Sequence, residues 1–210
     1  MNTSSQTDIY NMALAAIGVS RFVIAPDDGS NEANMMNVFW NSVRDQCLQD
    51  FPWGFAMRYV ELALISKTIQ GWSYCYQYPS DCLQARLIMP TLSDVDVNPR
   101  IYDHYFRHRI PFAIVENEAG GGLAIATSIE TPTLAYTARI KTIALWSPAF
   151  VNALSWLLGS KVAAPLSASP EYAISAGQAY EAALLKAGAL SLNEGREKPE
   201  PECDLLLARR

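Results

Sequence analysis

Apolar residues recur along this chain with two different periods, and the change of period divides it. Met36, Trp40, Val43 and Cys47 repeat at helical spacing and predict one apolar stripe on a helix over 31–50, with Glu32 near its positive end. Upstream, Ile9, Met12, Ala13, Ala16 and Ile17 share the face of a shorter helix, capped by Thr7 and stopped by Gly18. The turn residues Ala25-Pro-Asp-Asp-Gly-Ser30 separate the two, and Phe51-Pro-Trp-Gly-Phe55 closes the second as a packed aromatic corner. The most apolar stretch comes late. Ser147-Pro148 opens a helix carrying Phe150, Val151, Leu154, Trp156, Leu157, Leu158 and Val162, which stops at Pro165. Ser169-Pro170 starts the next at once, with Tyr172, Ala176, Tyr180, Leu184 and Ala187 near helical spacing up to about Leu192. The helix after Ser147 is too greasy to stand alone in water and holds no chemistry, which marks it as a packing and assembly element.

Between these helical pairs the period drops to two. Residues 59–65 are β-compatible, and Trp72, Tyr74, Tyr76 and Tyr78 alternate with smaller or polar neighbours, so they fall on one face of a strand. Such an aromatic stripe can stack bases or sugars, but is more often a strand's buried face. Pro79-Ser-Asp-Cys-Leu83 reads as a turn or helical turn. Further strands are expected over 101–106, 112–116, 123–127 and 134–140, with a hairpin connection at Gly120-Gly121-Gly122. The resulting fold class is α+β, mainly an α-helical bundle: residues 1–56 and 142–192 form the bundle, 57–141 a β-rich insertion, and 193–210 a flexible C-terminal tail.

Composition narrows the partners. Half of the 210 residues are hydrophobic, enough for a core without a disulfide or metal. The net charge of −5, with only Arg107-His108-Arg109 and Arg209-Arg210 as basic clusters, argues against a single copy gripping DNA. The four cysteines form no CxxC pair, which suits a reducing compartment. Residues 1–8 lack the charged and apolar regions of a signal peptide, and no run reaches membrane-spanning length.

Candidate chemistry is thin. Asp94-x-Asp96-x-Asn98 opens like a calcium loop, but Pro99 stands where glycine is needed and Tyr105 where the bidentate Glu belongs. His104 and His108 could share a helix face, yet no third metal ligand is evident. Gly71-Trp-Ser-Tyr-Cys75 lacks the second glycine of a nucleophile elbow, and the triple glycine has no Lys-Ser/Thr after it to cradle phosphate. Glu116 with Glu118, or Asp27 with Asp28, are the only carboxylate pairs that suggest glycoside cleavage. No catalytic residue, cofactor or metal is assigned.

The ordered set Ile9-Tyr-Asn-Met-Ala-Leu-Ala-Ala-Ile-Gly18, Arg44-Asp45, Phe51-Pro-Trp-Gly-Phe55, Trp72-x-Tyr-x-Tyr-x-Tyr-Pro-x-Asp-Cys-Leu83, Leu134-Ala-Tyr136 and Trp146-x-Pro-x-Phe150 through Lys161-x-Ala-x-Pro-Leu166 resembles the tail tubular protein A, or head-to-tail adaptor, family of short-tailed phages. The likeness spans about residues 8–190. It implies a non-enzymatic virion protein, assembled in the bacterial host cytoplasm. Its copies would form a ring, a dodecamer in the virion, between the portal protein and the tail nozzle protein. A free subunit would stay monomeric until the portal templates that ring, and genome DNA would pass the lumen without specific binding. No membrane partner is implied. Candidate partner contacts are Trp156 and Lys161 on the second face of the Ser147 helix, and Leu205, Leu206, Leu207, Arg209 and Arg210 in the tail. The competing readings are a glycan-degrading virion-associated hydrolase and a prophage-derived protein without a virion role.

Overall fold

The computed structural model describes residues 5–90, 109–117, 122–166 and 169–194. In chain order the elements are α1 (Gln6–Ala16), α2 (Asn31–Asp50), a 3₁₀ turn (Gly54–Ala56), β1 (Met57–Glu61), β2 (Tyr74–Gln77), β3 (Cys82–Pro90), β4 (Phe112–Asn117), β5 (Gly122–Thr127), β6 (Pro132–Ala138), a second 3₁₀ turn (Ile143–Leu145), α3 (Pro148–Val162) and α4 (Pro170–Glu194). Among the described residues no helix is long and apolar enough to cross a membrane.

The expectation of a mainly helical bundle is corrected. The described residues form four α-helices and two three-stranded antiparallel sheets, so the architecture is α+β without being a bundle. Part of the error lies in β3, whose first residues were read as a turn. Leu83, Ala85, Leu87 and Met89 alternate with Gln84, Arg86 and Ile88, a period-two pattern overlooked beside the proline-bearing Pro79–Asp81 corner. β1 begins two residues before the expected strand and ends at Glu61. The strand expected over 101–106 lies outside the described residues.

The chain forms two compact units. The first comprises described residues up to Met57, Asp81–Gln84 and Thr137–Leu192. In it α3 packs on α1 and α2. Local signals set each helix. A capping box starts α1: Ser5 Oγ accepts from Asp8 N at 3.1 Å, and Ser5 N donates to Asp8 Oδ2 at 2.7 Å, so the cap is Ser5 and not Thr7. Its end is a Schellman closure, with Gly18 N bonded to Ala15 O (3.1 Å), Val19 N to Leu14 O (3.0 Å), and Gly18 at φ +75. Gly18→Ala is expected to cost about 1 kcal/mol, read as a lowered urea midpoint, because an L side chain resists that backbone. Ser30 and Ser147 cap α2 and α3 in the same way, accepting from Ala33 N and Phe150 N.

Nine of the fifteen α3 residues are buried, among them Phe150, Leu154, Leu158 and Val162. Gly159 permits a close approach to α1: a Cβ there would lie 3.0 Å from Ala13 O and 3.3 Å from Ile17 Cγ2. The helix 170–194 buries only a narrow stripe containing Ala176, Tyr180 and Ala187. Gly188 faces Phe51, where a Cβ would meet the ring at 3.3 Å.

The second unit comprises Arg58–Ser80 and Ala85–Tyr136 among the described residues. One sheet has the order β2-β5-β4, with Ile125 of the central strand paired to Tyr76 on one side and Ile114 on the other. β4 and β5 are successive antiparallel partners joined through Asn117 and Gly122; Gly120 and Gly121 of the expected hairpin lie outside the described residues. The other sheet has the order β1-β6-β3. Its middle strand is buried on both faces, Leu134 and Tyr136 on one, Ala135 and Thr137 on the other, as a central strand covered twice must be.

Candidate functional site

Of the residues that sequence singled out as contacts, two lie among the described residues. Trp156 is half-buried on α3 and Lys161 is exposed in its last turn. At ~100° per residue they stand about 140° apart around the helix. Since most of α3 is enclosed within its own unit, little of it is left to meet a partner. Leu205, Leu206, Leu207, Arg209 and Arg210 lie outside the described residues.

The candidate chemical groups resolve as follows. Asp94, Asp96, Asn98, His104, His108, Glu118 and Cys203 lie outside the described residues. Among the described residues no three His, Cys, Asp or Glu side chains group as metal ligands. Glu116 is exposed on β4, and its backbone carbonyl accepts from Lys67 Nζ. Cys47 is enclosed, and burial pushes its thiol well above the ordinary range, so it packs as an apolar group. Of the aromatic stripe, Tyr76 is buried and its hydroxyl bonds to the carbonyls of Ile129 and Glu130, while Trp72, Tyr74 and Tyr78 are half-buried.

Asp28 serves as a brace. Its Oδ1 accepts from Ser30 Oγ at 2.6 Å and Ser30 N at 2.9 Å, and Oδ2 accepts from Ile24 N at 2.9 Å. Those bonds, led by the Ser30 hydroxyl, lower its pKa to about 2. It stays ionised near neutrality and cannot serve as a general acid there. With the folded pKa depressed, its contribution to stability is present above the unfolded pKa of 3.8 and is lost as pH falls through about 2. Thermal melts of the parent and Asp28→Asn should therefore differ by a constant margin above pH 4 and converge toward pH 2.

Three features of the first unit are built from residues distant in sequence. The first is aromatic. Phe150 meets Trp146, Trp53 and Phe55 edge-on at centroid distances of 5.0, 5.1 and 5.3 Å, and Trp40 links Trp146 to Tyr10. The buried indole N–H groups are satisfied, Trp53 by Cys47 O at 2.8 Å and Trp146 by Ile140 O at 3.2 Å. The second is ionic. Buried Arg44 donates to Asp45 Oδ1 through Nε (2.9 Å) and Nη2 (2.7 Å) and to Asn41 Oδ1 through Nη1 (3.0 Å). Asp45 Oδ2 accepts from Arg139 Nε at 2.9 Å, and Arg139 N donates to Asp81 O at 2.8 Å. The third fastens α4: Tyr180 Oη donates to Asp50 Oδ2 at 2.6 Å, and burial raises the Tyr180 phenol far above its usual range. Sequence gave no sign of this last pair.

A surface cleft of about 400 Å³ opens beside Gly18–Arg21, Asn31, Glu32 and Leu166. Arg21 Nη1 stands 3.8 Å from Glu32 Oε1 in it. Among the described residues lining it, Ser20 carries the one side-chain hydroxyl and none is a histidine. Immediately after it, residues 22–24 are held by a two-pronged bond from the Asn11 amide to Val23 (Nδ2 to O, 3.0 Å; N to Oδ1, 2.8 Å). Val23 is buried, and Phe22 and Ile24 on either side of it are 66% and 88% exposed.

The sequence matches no family model and no curated protein.

Proposed function

We propose that the chain is a structural subunit of a short-tailed phage virion, an adaptor that joins the portal to the tail nozzle and lines the channel through which DNA leaves. The observation that carries this reading is convergence. Three of the pieces that resemble the adaptor family, around Tyr10, Trp53 and Trp146–Phe150, are far apart in the chain, yet these residues belong to one linked set of aromatic contacts completed by Trp40 and Phe55. Those three pieces build a packed core and not a cleft. In such a protein the outer surface of the fold is the working part.

The net charge of −5 suits the channel role, since a lumen of the same sign as the DNA backbone repels it and lets the genome pass without sticking. The basic and apolar groups at 205–210 would dock the subunit on the portal, with Leu205, Leu206 and Leu207 in an apolar groove and Arg209 and Arg210 on acidic partners. Electron microscopy of the protein mixed with its cognate portal tests this directly. An added ring below the portal is expected, and portal particles that stay bare sink the idea. Removing 195–210, beyond the end of α4, is expected to abolish attachment while leaving the circular dichroism spectrum unchanged. Assays for sugar release from cell-wall glycans should give none, and release that disappears with Glu116→Ala would instead favour a hydrolase.

A further inference from the structure

The helix 170–194 buries Ala176, Tyr180 and Ala187 but leaves large apolar residues on its other side, Ile174 and Leu185 being 63% and 78% exposed. Ile174, Gln178, Glu181 and Leu185, all exposed, fall within about 60° of one another at ~100° per residue. The bond from Tyr180 to Asp50 and the buried alanine stripe hold this face outward.

The same unit carries a second uncovered apolar surface, Phe22 and Ile24 on either side of buried Val23. Asn11 and Asp28 hold its backbone, so little conformational freedom remains to be lost when something binds it. The two surfaces are complementary in charge. Arg21, 83% exposed at its side chain, precedes Phe22, whereas Glu181 lies between Ile174 and Leu185 on the helix.

We propose that these two surfaces bind each other between copies of this chain: Phe22 and Ile24 of one copy sit on the Ile174–Leu185 face of the next, with Arg21 beside Glu181. The inference deepens the adaptor reading and rests on it for the shape of the assembly. Two different patches meeting make a heterologous contact, which propagates from copy to copy and closes into a ring when the rotation allows.

Full-length protein in sedimentation velocity, over a concentration series reaching millimolar, provides the test. The parent is expected to be monomeric at micromolar concentration, as a subunit awaiting its template would be, and to associate weakly as the series approaches millimolar. Phe22→Glu and Leu185→Glu are both surface changes whose folding circular dichroism can verify, and each should weaken association at least tenfold. Mixing the two variants is the decisive arm, because each retains the surface the other has lost. The mixture should form a dimer and stop there. The proposal is overturned if the parent stays monomeric at millimolar concentration, if either variant associates like the parent, or if the mixture gives no dimer. Portal attachment separates the two ideas. Rings formed on portals by both glutamate variants would leave the adaptor reading standing and remove this contact. Portals left bare by the parent protein, together with the dimer-limited mixture, would do the reverse.

Discussion

Phe150→Ala is expected to destabilise the first unit by about 4 kcal/mol, the cost of removing a fully enclosed phenylalanine and leaving a cavity. The ring is edge-on to three others, and such pairs contribute ~0.5–1.5 kcal/mol each beyond the area they bury. Phe150→Leu, which keeps more of the volume, should cost less than half as much. Tryptophan fluorescence is a suitable probe, because Trp40, Trp53, Trp146 and Trp156 all lie in this unit and only Trp72 in the other. A urea midpoint shifted by the equivalent of less than 1 kcal/mol would show that the ring is not a core residue.

Asp45→Ala should be nearly as damaging, at about 3 kcal/mol, for a different reason. Arg44 is 5% exposed, and without Asp45 its guanidinium keeps only the Asn41 contact. A buried cation stripped of its counter-ion typically costs ~3–5 kcal/mol. The lower end applies because the Asp45 side chain is itself 23% exposed, and the more exposed Arg139 arm adds less than about 1 kcal/mol. A double-mutant cycle checks the assignment. In an Arg44→Met background, where there is no buried charge to orphan, Asp45→Ala should lose most of its effect. Equal cost in both backgrounds would refute it.

The helical half of the fold was legible because its signals are local. Four stripe residues between a turn and an aromatic corner mark a helix over about 31–50, and two Ser-Pro pairs mark the starts of α3 and α4. The hairpin strands near 112–127 were legible too, from alternation and glycine. β3 was missed because a proline-bearing corner was allowed to outweigh the alternation that follows it. Other features were beyond a sequence reading altogether. Nothing local tells that Asp45 meets Arg139, or that Asp50 meets Tyr180, since these contacts exist only once distant segments have folded together. The same is true of the exposed face. Ile174 and Leu185 look like better core residues than Ala176 and Ala187, and only the close packing of α4 through its alanines and Gly188 turns them outward. Trp156 and Lys161 were read as a second face of α3, and there Trp156 is half-buried and Lys161 exposed.

The first unit is made of three separate stretches, and this has a consequence during synthesis. α1 and α2 leave the ribosome with Ile9, Leu14, Met36 and Val43 uncovered, and their partner α3 begins only at Pro148. At ~5–20 residues per second the wait is on the order of ten seconds. The Arg58–Ser80 and Ala85–Tyr136 stretches of the other unit are made within that interval. The species most prone to aggregate is therefore the nascent chain carrying an unsheltered α1 and α2, so its yield in a cell depends on chaperones that hold that intermediate.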